Sequence, residues 1–428
     1  MIDWLYPFRT PQRLMYGSAW LLVGSMVLSP FLLSVSMWGL VAAAGWHTAE
    51  QLLKNGEVST LKSASTWLKA LVRSFQHLFQ QPALALMTLL LLVPAVSAFW
   101  SDDLAYWLRV TRVRLPFLVL PWAFANLPRL DQRAYREVLY LLVWWMVLLC
   151  IGVGINFLLH FDAILTGLGK GQPVPVPRQH VRFSLVVATA IISGIWLWRQ
   201  RFFVRYAWER NALAAATGFL FIFIHILSVR SGLVVLYAAL VFTVVRYVWQ
   251  TKKWTVGLLT LASLVVVLWT AVENIPSLRT RLAYMKYDWE RYKAKEGEAY
   301  SDSERLTSLE VGWKIWRENP ALGCGAGDLL NEVKRITVAE HPDYAKSPKL
   351  PHNQWLHIMA STGLFGLVCS LFGIFAALFT RRKGSRYLFL TFQLMAFITF
   401  LFECTIENAI GVAWFLFYTL WFLRLERQ

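Results

Sequence analysis

The chain has 428 residues, of which 57% are hydrophobic and only 16% are charged. A soluble domain of this length carries more charge and fewer long apolar runs, so this composition excludes a soluble globular protein and indicates an integral membrane protein. The net charge of +17 does not indicate a nucleic-acid-binding protein, because the basic residues lie in short clusters between apolar runs, as at 129–136, 199–205 and 381–383.

Apolar segments long enough to cross a bilayer follow one another along most of the chain, since about 20 apolar residues span the hydrocarbon core. The uncharged run at 14–49 is too long for one span and is interrupted by Ser29-Pro30, so two short helices are expected there. The further predicted spans are 83–100, 113–128, 137–160, 181–198, 211–229, 231–249, 254–273, 353–380, 387–404 and 406–423. The sequence therefore predicts an all-α polytopic membrane protein with about 12 transmembrane helices.

The positions of lysine and arginine indicate the orientation of the chain in the membrane. If the N-terminus is cytoplasmic, most basic residues of the short loops and tails lie on the cytoplasmic side, as the positive-inside rule requires. The predicted organisation is then nine spans within 1–273, one large non-cytoplasmic loop at 274–352, and three spans with a short cytoplasmic C-terminus within 353–428.

The large loop is expected to be folded, because its acidic and basic residues are nearly balanced in number. Apolar residues at helical spacing predict two amphipathic helices, at 282–292 and 303–318, with Ser303 as the N-cap of the second and Asn319-Pro320 at its end. The predicted apolar face of the second helix consists of Leu306, Leu309, Trp313 and Trp316. These faces could pack on the membrane surface or on the top of the helix bundle, or they could simply pack on each other, and the sequence leaves these arrangements open.

The polar end of the large loop leads directly into an apolar span, with His352 and Asn353 at the boundary. The positive end of a helix disfavours a second positive charge and therefore lowers the pKa of a histidine. A neutral histidine can act as a general base, and a helix N-terminus attracts phosphate. The alternative is an ordinary polar residue at a helix cap. Gly363 and Gly366 are expected to let another helix approach closely, and His357 is expected to be structural.

Two arginines of the non-cytoplasmic side are candidates for binding an anionic group. Arg230 lies in a tight turn between two long apolar runs, where charged residues are usually functional. Arg305 lies on the predicted helix at 303–318, and arginine suits bidentate contacts with phosphate. The alternatives are snorkelling of Arg230 to a lipid headgroup and an ordinary surface position for Arg305. The glycines that follow resemble a phosphate-binding loop only weakly: Gly323, Gly325 and Gly327.

Two further basic runs on the same side are weaker candidates for substrate contacts. The first precedes the fourth span and contains Arg109, Arg112 and Arg114. The second begins the sixth span and contains Arg178, His180 and Arg182. Anchoring of these residues at the membrane interface is the alternative. No metal site is predicted, because Asp102 and Asp103 have no evident third ligand and suit a solvated helix end.

The order of these residues along the chain is similar to that of a known family. Arg230 follows an apolar span, and Arg305 precedes the pattern W-x6-P-x-L-G-x-G at 313–325. His352-Asn353 is then followed, after nine residues, by G-x-x-G. The chain thereby resembles the bacterial lipopolysaccharide O-antigen ligase family, within the superfamily of O-antigen ligases and polymerases. It departs from many members at the first arginine, where they have Ser-Arg-Gly and this chain has Arg-Ser-Gly.

The resemblance implies an inverting membrane glycosyltransferase of the GT-C type that uses neither a metal nor another cofactor. Its donor would be O-antigen polysaccharide on undecaprenyl diphosphate, and its acceptor a sugar hydroxyl of lipid A-core, at the periplasmic side of the bacterial inner membrane. His352 would act as general base, while Arg230 and Arg305 would neutralise the departing diphosphate. The other expected substrate contacts are Asn353, Arg109, Arg112, Arg114, His180 and Arg182. Membrane lipids are expected partners, and nucleic acids are not.

Other functions remain compatible with these features. An O-antigen polymerase or a protein O-oligosaccharyltransferase would share the donor chemistry and differ in the acceptor, and the sequence does not separate them. A secondary transporter is a more distant alternative, since twelve spans also suit carriers. A carrier would show repeat symmetry and polar interruptions near the membrane midplane in matched halves, and the sequence shows neither.

Overall fold

The computed structural model describes residues 10–58, 64–293, 301–380 and 386–425, and this part of the chain is helical without any β-strand. Eight of its helical segments are long and apolar enough to cross a membrane, and two shorter apolar helices lie near its C-terminal end. The predicted all-α polytopic membrane protein is thereby confirmed, whereas the number of twelve spans and the GT-C type stay predictions. The basic cluster at 381–383 lies outside the described residues.

The helices form a bundle around two central members. The first nine are α1 (Thr10–Ser25), α2 (Pro30–Lys54), α3 (Ala64–Phe79), α4 (Pro82–Met87), α5 (Leu89–Val96), α6 (Leu104–Arg114), α7 (Pro116–Asn126), α8 (Gln132–Leu159) and α9 (Phe161–Gly169). The remainder are α10 (His180–Arg199), α11 (Glu209–Leu227), α12 (Arg230–Thr251), α13 (Trp254–Asn274), α14 (Pro276–Lys293), α15 (Ser301–Glu318), α16 (Leu329–Glu340), α17 (Gln354–Phe375), α18 (Tyr387–Phe402) and α19 (Ala409–Leu425). α10 and α19 are buried along almost their whole length. α13 exposes most of its apolar side chains and lies at the periphery.

The long apolar run at 14–49 is divided where the sequence predicts. α1 ends at Ser25, and Ser29 caps α2 by accepting a hydrogen bond of 3.3 Å from the backbone N–H of Leu32. Pro30 occupies the first turn of α2, where its missing N–H costs no intrahelical hydrogen bond. The two helices pack against each other, so the division into two helices is confirmed.

The large loop contains α14, α15 and α16, and the predicted helices at 282–292 and 303–318 lie within α14 and α15. α15 packs on α14, on α16 and on α17. Val311 and Ile315 of α15 form a small apolar core with α16. These helices therefore pack both on each other and on helices of the bundle. Contact of their exposed faces with the membrane surface stays a prediction.

Two predicted details of α15 are wrong. Ser303 lies inside the helix, which begins at Ser301, and its hydroxyl donates to the Asp288 carboxylate of α14 at 2.5 Å. The predicted apolar face is partly exposed. The buried face carries Ser303, Thr307, Ser308, Val311 and Ile315. Small hydroxyl side chains turn inwards here because they find hydrogen-bond partners on the neighbouring segments.

α17 is interrupted at Gly363, whose backbone (φ 66°, ψ −167°) is far from helical. A loop at 320–325 enters the gap. The backbone N–H groups of Leu364 and Phe365 donate to the carbonyl oxygens of Pro320 and Ala321, at 2.9 and 3.1 Å. Gly363 therefore admits a loop and not the helix that the sequence led us to expect, whereas Gly366 does face a helix, α5.

The glycine-rich segment at 323–327 fixes this loop and does not bind phosphate through its backbone. The N–H groups of Cys324 and Gly325 donate to carbonyl oxygens of α17 at 3.0 and 2.9 Å. The N–H of Gly327 donates to the Ser101 hydroxyl at 3.1 Å. These donors are engaged within the protein, so the weak resemblance to a phosphate-binding loop has no structural counterpart.

Replacing Gly363 by alanine is expected to lower the free energy of unfolding by at least about 1–3 kcal/mol, because essentially only glycine adopts this backbone conformation without strain. The added Cβ would also collide with the carbonyl oxygen of Ala321. The matched control is Gly218→Ala in α11, where an added Cβ meets nothing within 4 Å. Thermal unfolding of the purified variants in detergent measures the difference. An unchanged midpoint for Gly363→Ala would contradict this account of the break.

Candidate active site

The end of the helix bundle next to α14, α15 and α16, which we call the loop side, holds most of the predicted site residues. A small cavity, the arginine cavity, opens there and is bordered by α10, α12, α14 and α15. Its lining includes His180, Arg230, Arg281 and Arg305. Three of these residues were candidates from the sequence, and they come from three helices that lie far apart in the chain. Arg281 of α14 was not predicted.

Arg230 reaches the arginine cavity because a tight turn joins α11 to α12. Ser228 ends α11 in the left-handed conformation, with a φ of 54°, and Arg230 is the first residue of α12. Gly232 then packs against α10, where an added Cβ would come within 2.5 Å of the Ser184 side chain. The Arg-Ser-Gly sequence therefore supplies both a charge at the cavity and a close approach of α12 to α10.

A buried carboxylate at the end of α18, that of Glu403, holds two arginines. The Arg305 guanidinium donates to it at 2.9 Å, and the Arg182 guanidinium does so at 3.4 Å. Arg182 also donates to the carbonyl oxygen of Cys404 at 2.8 Å. The Glu403 side chain is 6% exposed, and a buried charge requires such partners. The Arg305 side chain keeps 29% of its surface exposed, so it remains accessible from the cavity.

His352 lies beside Arg305, in the segment that connects the large loop to α17. Its backbone N–H donates to the hydroxyl of Ser308 on α15 at 3.2 Å. Asn353 caps α17 by accepting a hydrogen bond of 2.9 Å from the backbone N–H three residues on. The Asn353 amide also donates to the carbonyl oxygen of Leu401 in α18 at 2.8 Å. These contacts fix the histidine between α15 and α18, and the observed contacts of Asn353 serve that positioning.

The pKa of His352 is lowered to about 4, mainly because the imidazole is buried and also because Arg305 is close. The Glu403 carboxylate acts in the opposite direction and reduces the shift. His352 is therefore neutral at pH 7, which is the state that a general base requires. The sequence also predicted a lowered pKa for His352. It attributed the lowering to the positive end of the helix, whereas burial is the main cause in the structure.

A second and larger cavity lies on the loop side, bordered by α6, α16 and α17. Arg109 lines it, whereas Arg112 is exposed and does not. Arg114 is buried, and its guanidinium pairs with the carboxylate of Glu407. The same carboxylate accepts a hydrogen bond of 2.7 Å from the Gln354 amide. Arg114 lines the same cavity as Arg109, so two of the three arginines that the sequence grouped together meet at one cavity and only Arg112 does not.

The acidic residues that could have suggested a metal site have other partners. Asp103 caps the start of α6 by accepting a hydrogen bond of 2.8 Å from the N–H of Tyr106. Within the described ranges, one cluster of metal-ligand type occurs on the large loop: Glu310, Glu340 and His341. Lys314 pairs with both of its carboxylates. Neither the aspartates at 102–103 nor this cluster on the large loop lines either cavity of the loop side.

Residues 214–371 match the Wzy_C family model, which is described as O-antigen ligase. The match runs from α11 to α17 and ends before Glu403. It includes Arg230, Arg305 and His352. No curated protein matches the chain. The family resemblance described from the sequence is thereby confirmed.

Proposed function

We propose that this member of the O-antigen ligase family transfers O-antigen polysaccharide from undecaprenyl diphosphate to a sugar hydroxyl of lipid A-core. The reaction takes place on the loop side, which faces the periplasm when the protein lies in the bacterial inner membrane in the orientation proposed from its basic residues. The family match supports the chemistry of the O-antigen ligase and polymerase superfamily. The choice of the ligase reaction within that superfamily is part of the proposal.

The observation that carries the proposal is the meeting of three arginines beside a neutral histidine. Arg230, Arg281 and Arg305 line one small cavity, and His352 lies next to Arg305. A lipid diphosphate is anionic, and more negative charge develops on its leaving oxygen as the bond to the sugar breaks. Guanidinium groups in a poorly hydrated cavity stabilise this charge more strongly than they would in water.

In the proposed reaction, His352 takes the proton of the acceptor hydroxyl while the hydroxyl oxygen forms a bond to C1 of the donor sugar. The attack comes from the face opposite the diphosphate, so the configuration at C1 inverts. The bond between C1 and the diphosphate oxygen breaks, and the diphosphate leaves with both bonding electrons. The proton held by His352 then passes to solvent or to the leaving group.

The other substrate contacts expected from the sequence take different parts in this proposal. His180 lines the arginine cavity and supports the diphosphate site. Arg182 acts indirectly, because it shares the Glu403 carboxylate that fixes Arg305. Asn353 holds the segment that carries the base. These positions make them binding or positioning residues and leave the proton transfer to the histidine.

The test is transfer by the purified protein in detergent, with undecaprenyl-diphosphate-linked O-antigen as donor. Lipid A-core, the polymer repeat and pilin are offered separately, and product is expected with lipid A-core. Product only with the repeat would indicate a polymerase, and product only with pilin a protein O-oligosaccharyltransferase. The arginines supply the charge stabilisation that a metal gives in other transferases, so the rate is expected to be unchanged in EDTA. Loss of activity that a divalent ion restores would contradict the metal-free reaction.

A further inference from the structure

The second cavity differs in chemical character from the arginine cavity. Part of its lining is apolar and comes mainly from α6 and α16: Val110, Val113, Leu329, Leu330 and Leu350. The rest is polar and includes Tyr106, Arg109, His357 and Glu407. A cavity that combines an apolar wall with a few polar groups suits a ligand with both kinds of surface.

The polar part is built on a buried ion-pair network around Glu407. Its carboxylate pairs with Arg114 and lies 3.4 Å from Nε2 of His357. Burial would raise the pKa of Glu407, but Arg114, His357 and Gln354 outweigh it and hold that pKa well below its usual range. The carboxylate is therefore ionised and can accept further hydrogen bonds.

Two nitrogen atoms of this network have no hydrogen-bond partner among the residues that the structure describes. They are Nδ1 of His357 and Nε of Arg114. The His357 side chain lines the cavity and is only 5% exposed. Buried polar atoms are nearly always hydrogen-bonded, so an unpartnered nitrogen at the edge of a cavity indicates that a polar ligand or water completes the site.

The segment that carries His352 borders the second cavity and contacts α15, which lines the arginine cavity. Arg305 of the arginine cavity lies beside His352. Leu350, two residues before the histidine, and His357, five residues after it, line the second cavity. The chain positions on both sides of His352 therefore border the second cavity, while His352 itself contacts the helix that carries Arg305.

We propose that the second cavity binds the acceptor sugar, with hydroxyl groups bonded to His357, Glu407 and Arg109 and with its apolar ring face on the wall formed by α6 and α16. The assignment rests on the proposed transfer reaction. A phosphate group fits less well, because the Glu407 carboxylate repels it. A sugar hydroxyl both donates and accepts, so one ring satisfies the carboxylate, the imidazole and the guanidinium.

Leu330→Trp fills the cavity from its apolar wall and tests the assignment. The KM for lipid A-core is expected to rise about tenfold or more, which corresponds to about 1.4 kcal/mol, while the KM for the lipid-linked donor stays unchanged. The matched control is Val338→Trp on the same helix, because Val338 is 60% exposed and does not line the cavity. Both KM values of the control are expected to equal those of the wild type.

Arg109→Ala gives a second test that does not depend on packing, because Arg109 is exposed. Loss of a hydrogen bond from a charged donor is expected to raise the KM for lipid A-core about tenfold or more. The control is Arg317→Ala, since Arg317 is an exposed arginine of α15 that lines neither cavity. This variant decides the question if Leu330→Trp fails to fold.

An unchanged KM for lipid A-core in both variants, or a raised KM for the donor instead, would overturn the assignment of the cavity and leave the transfer reaction intact. If the wild-type protein itself transfers nothing from the lipid-linked donor, the proposed function fails. Measuring transfer by the wild-type protein therefore distinguishes a wrong assignment of the cavity from a wrong proposed function.

Discussion

Replacing His352 by alanine is expected to lower the turnover of the transfer reaction roughly 10²–10⁴-fold, which is the usual contribution of a general base. The acceptor hydroxyl is a weak nucleophile at pH 7 and must lose its proton as the bond to C1 forms. Binding of the lipid-linked donor is expected to remain, because the proposed diphosphate site is formed by arginines from other segments. Initial rates of transfer and a separate measurement of donor binding check both statements.

His160→Ala is the matched control, since His160 is an exposed histidine at the end of α8. Thermal unfolding in detergent verifies that each variant is folded. A folded His352→Ala protein that transfers at the wild-type rate would exclude this histidine as the base.

The pH profile reports on the same group. His352 has a pKa of about 4, so its neutral form, which is the base, prevails above that pH and is lost below it. The acid limb of kcat/KM, which reports the free enzyme, is therefore expected near pH 4 and not near the value of about 6.5 of an ordinary histidine. The acid limb of kcat is expected at higher pH, because bound diphosphate places negative charge beside the imidazole and raises its pKa.

Replacing Arg305 by alanine is expected to lower turnover roughly 10²–10³-fold, as the loss of one group that stabilises transition-state charge usually does. The variant loses a positive charge directed at the leaving diphosphate. The fold is expected to persist, because Glu403 keeps its ion pair with Arg182 and because Arg305 is only partly buried. The rate of transfer at saturating donor is the quantity to measure.

Two further substitutions sharpen the interpretation of Arg305→Ala. Arg305→Lys keeps the charge but loses the planar guanidinium, so it is expected to recover activity only in part. Arg317→Ala, on the exposed part of the same helix, is expected to behave as the wild type. Equal rates for Arg305→Ala and Arg317→Ala would contradict a role of Arg305 in stabilising the leaving group.

Polar residues at the borders of apolar spans were the part of the site that the sequence made visible. Arg230 and His352 each stand next to a long apolar run, and Arg305 lies in the large loop between two such runs. The distribution of lysine and arginine assigned all three to one side of the membrane. Their meeting depends on helix packing, and the structure brings the two arginines to one cavity with the histidine beside Arg305.

Glu403 and Arg281 were not predicted, for different physical reasons. Glu403 is an isolated acidic residue at the end of an apolar span, which is a usable signal. Its partner Arg305 lies 98 residues away along the chain, however, and no local pattern links the two. Arg281 lies on a helix with many charged residues, so its charge did not set it apart from its neighbours.

The orientation of α15 was mispredicted because hydrophobicity alone was used to decide which face is buried. Beside a polar site, small hydroxyl side chains form hydrogen bonds with neighbouring segments and pack closely, so Ser303 and Ser308 turn inwards while Trp313 stays exposed. Predicting the fold class did not require knowing which face of each helix is buried. Composition and the lengths of the apolar runs are sufficient to predict a helical membrane protein, since backbone groups in lipid must be satisfied within each helix.

The interruption at Gly363 divides α17 into two shorter helical pieces. An unbroken helix of 22 residues would be about 33 Å long and would transmit each shift of its far end to the residue at its start. Here both pieces are tied by hydrogen bonds to the loop at 320–325, into which the helix of Arg305 leads directly. The loop therefore bridges the break and connects the start of α17, next to His352, to the helix that carries Arg305.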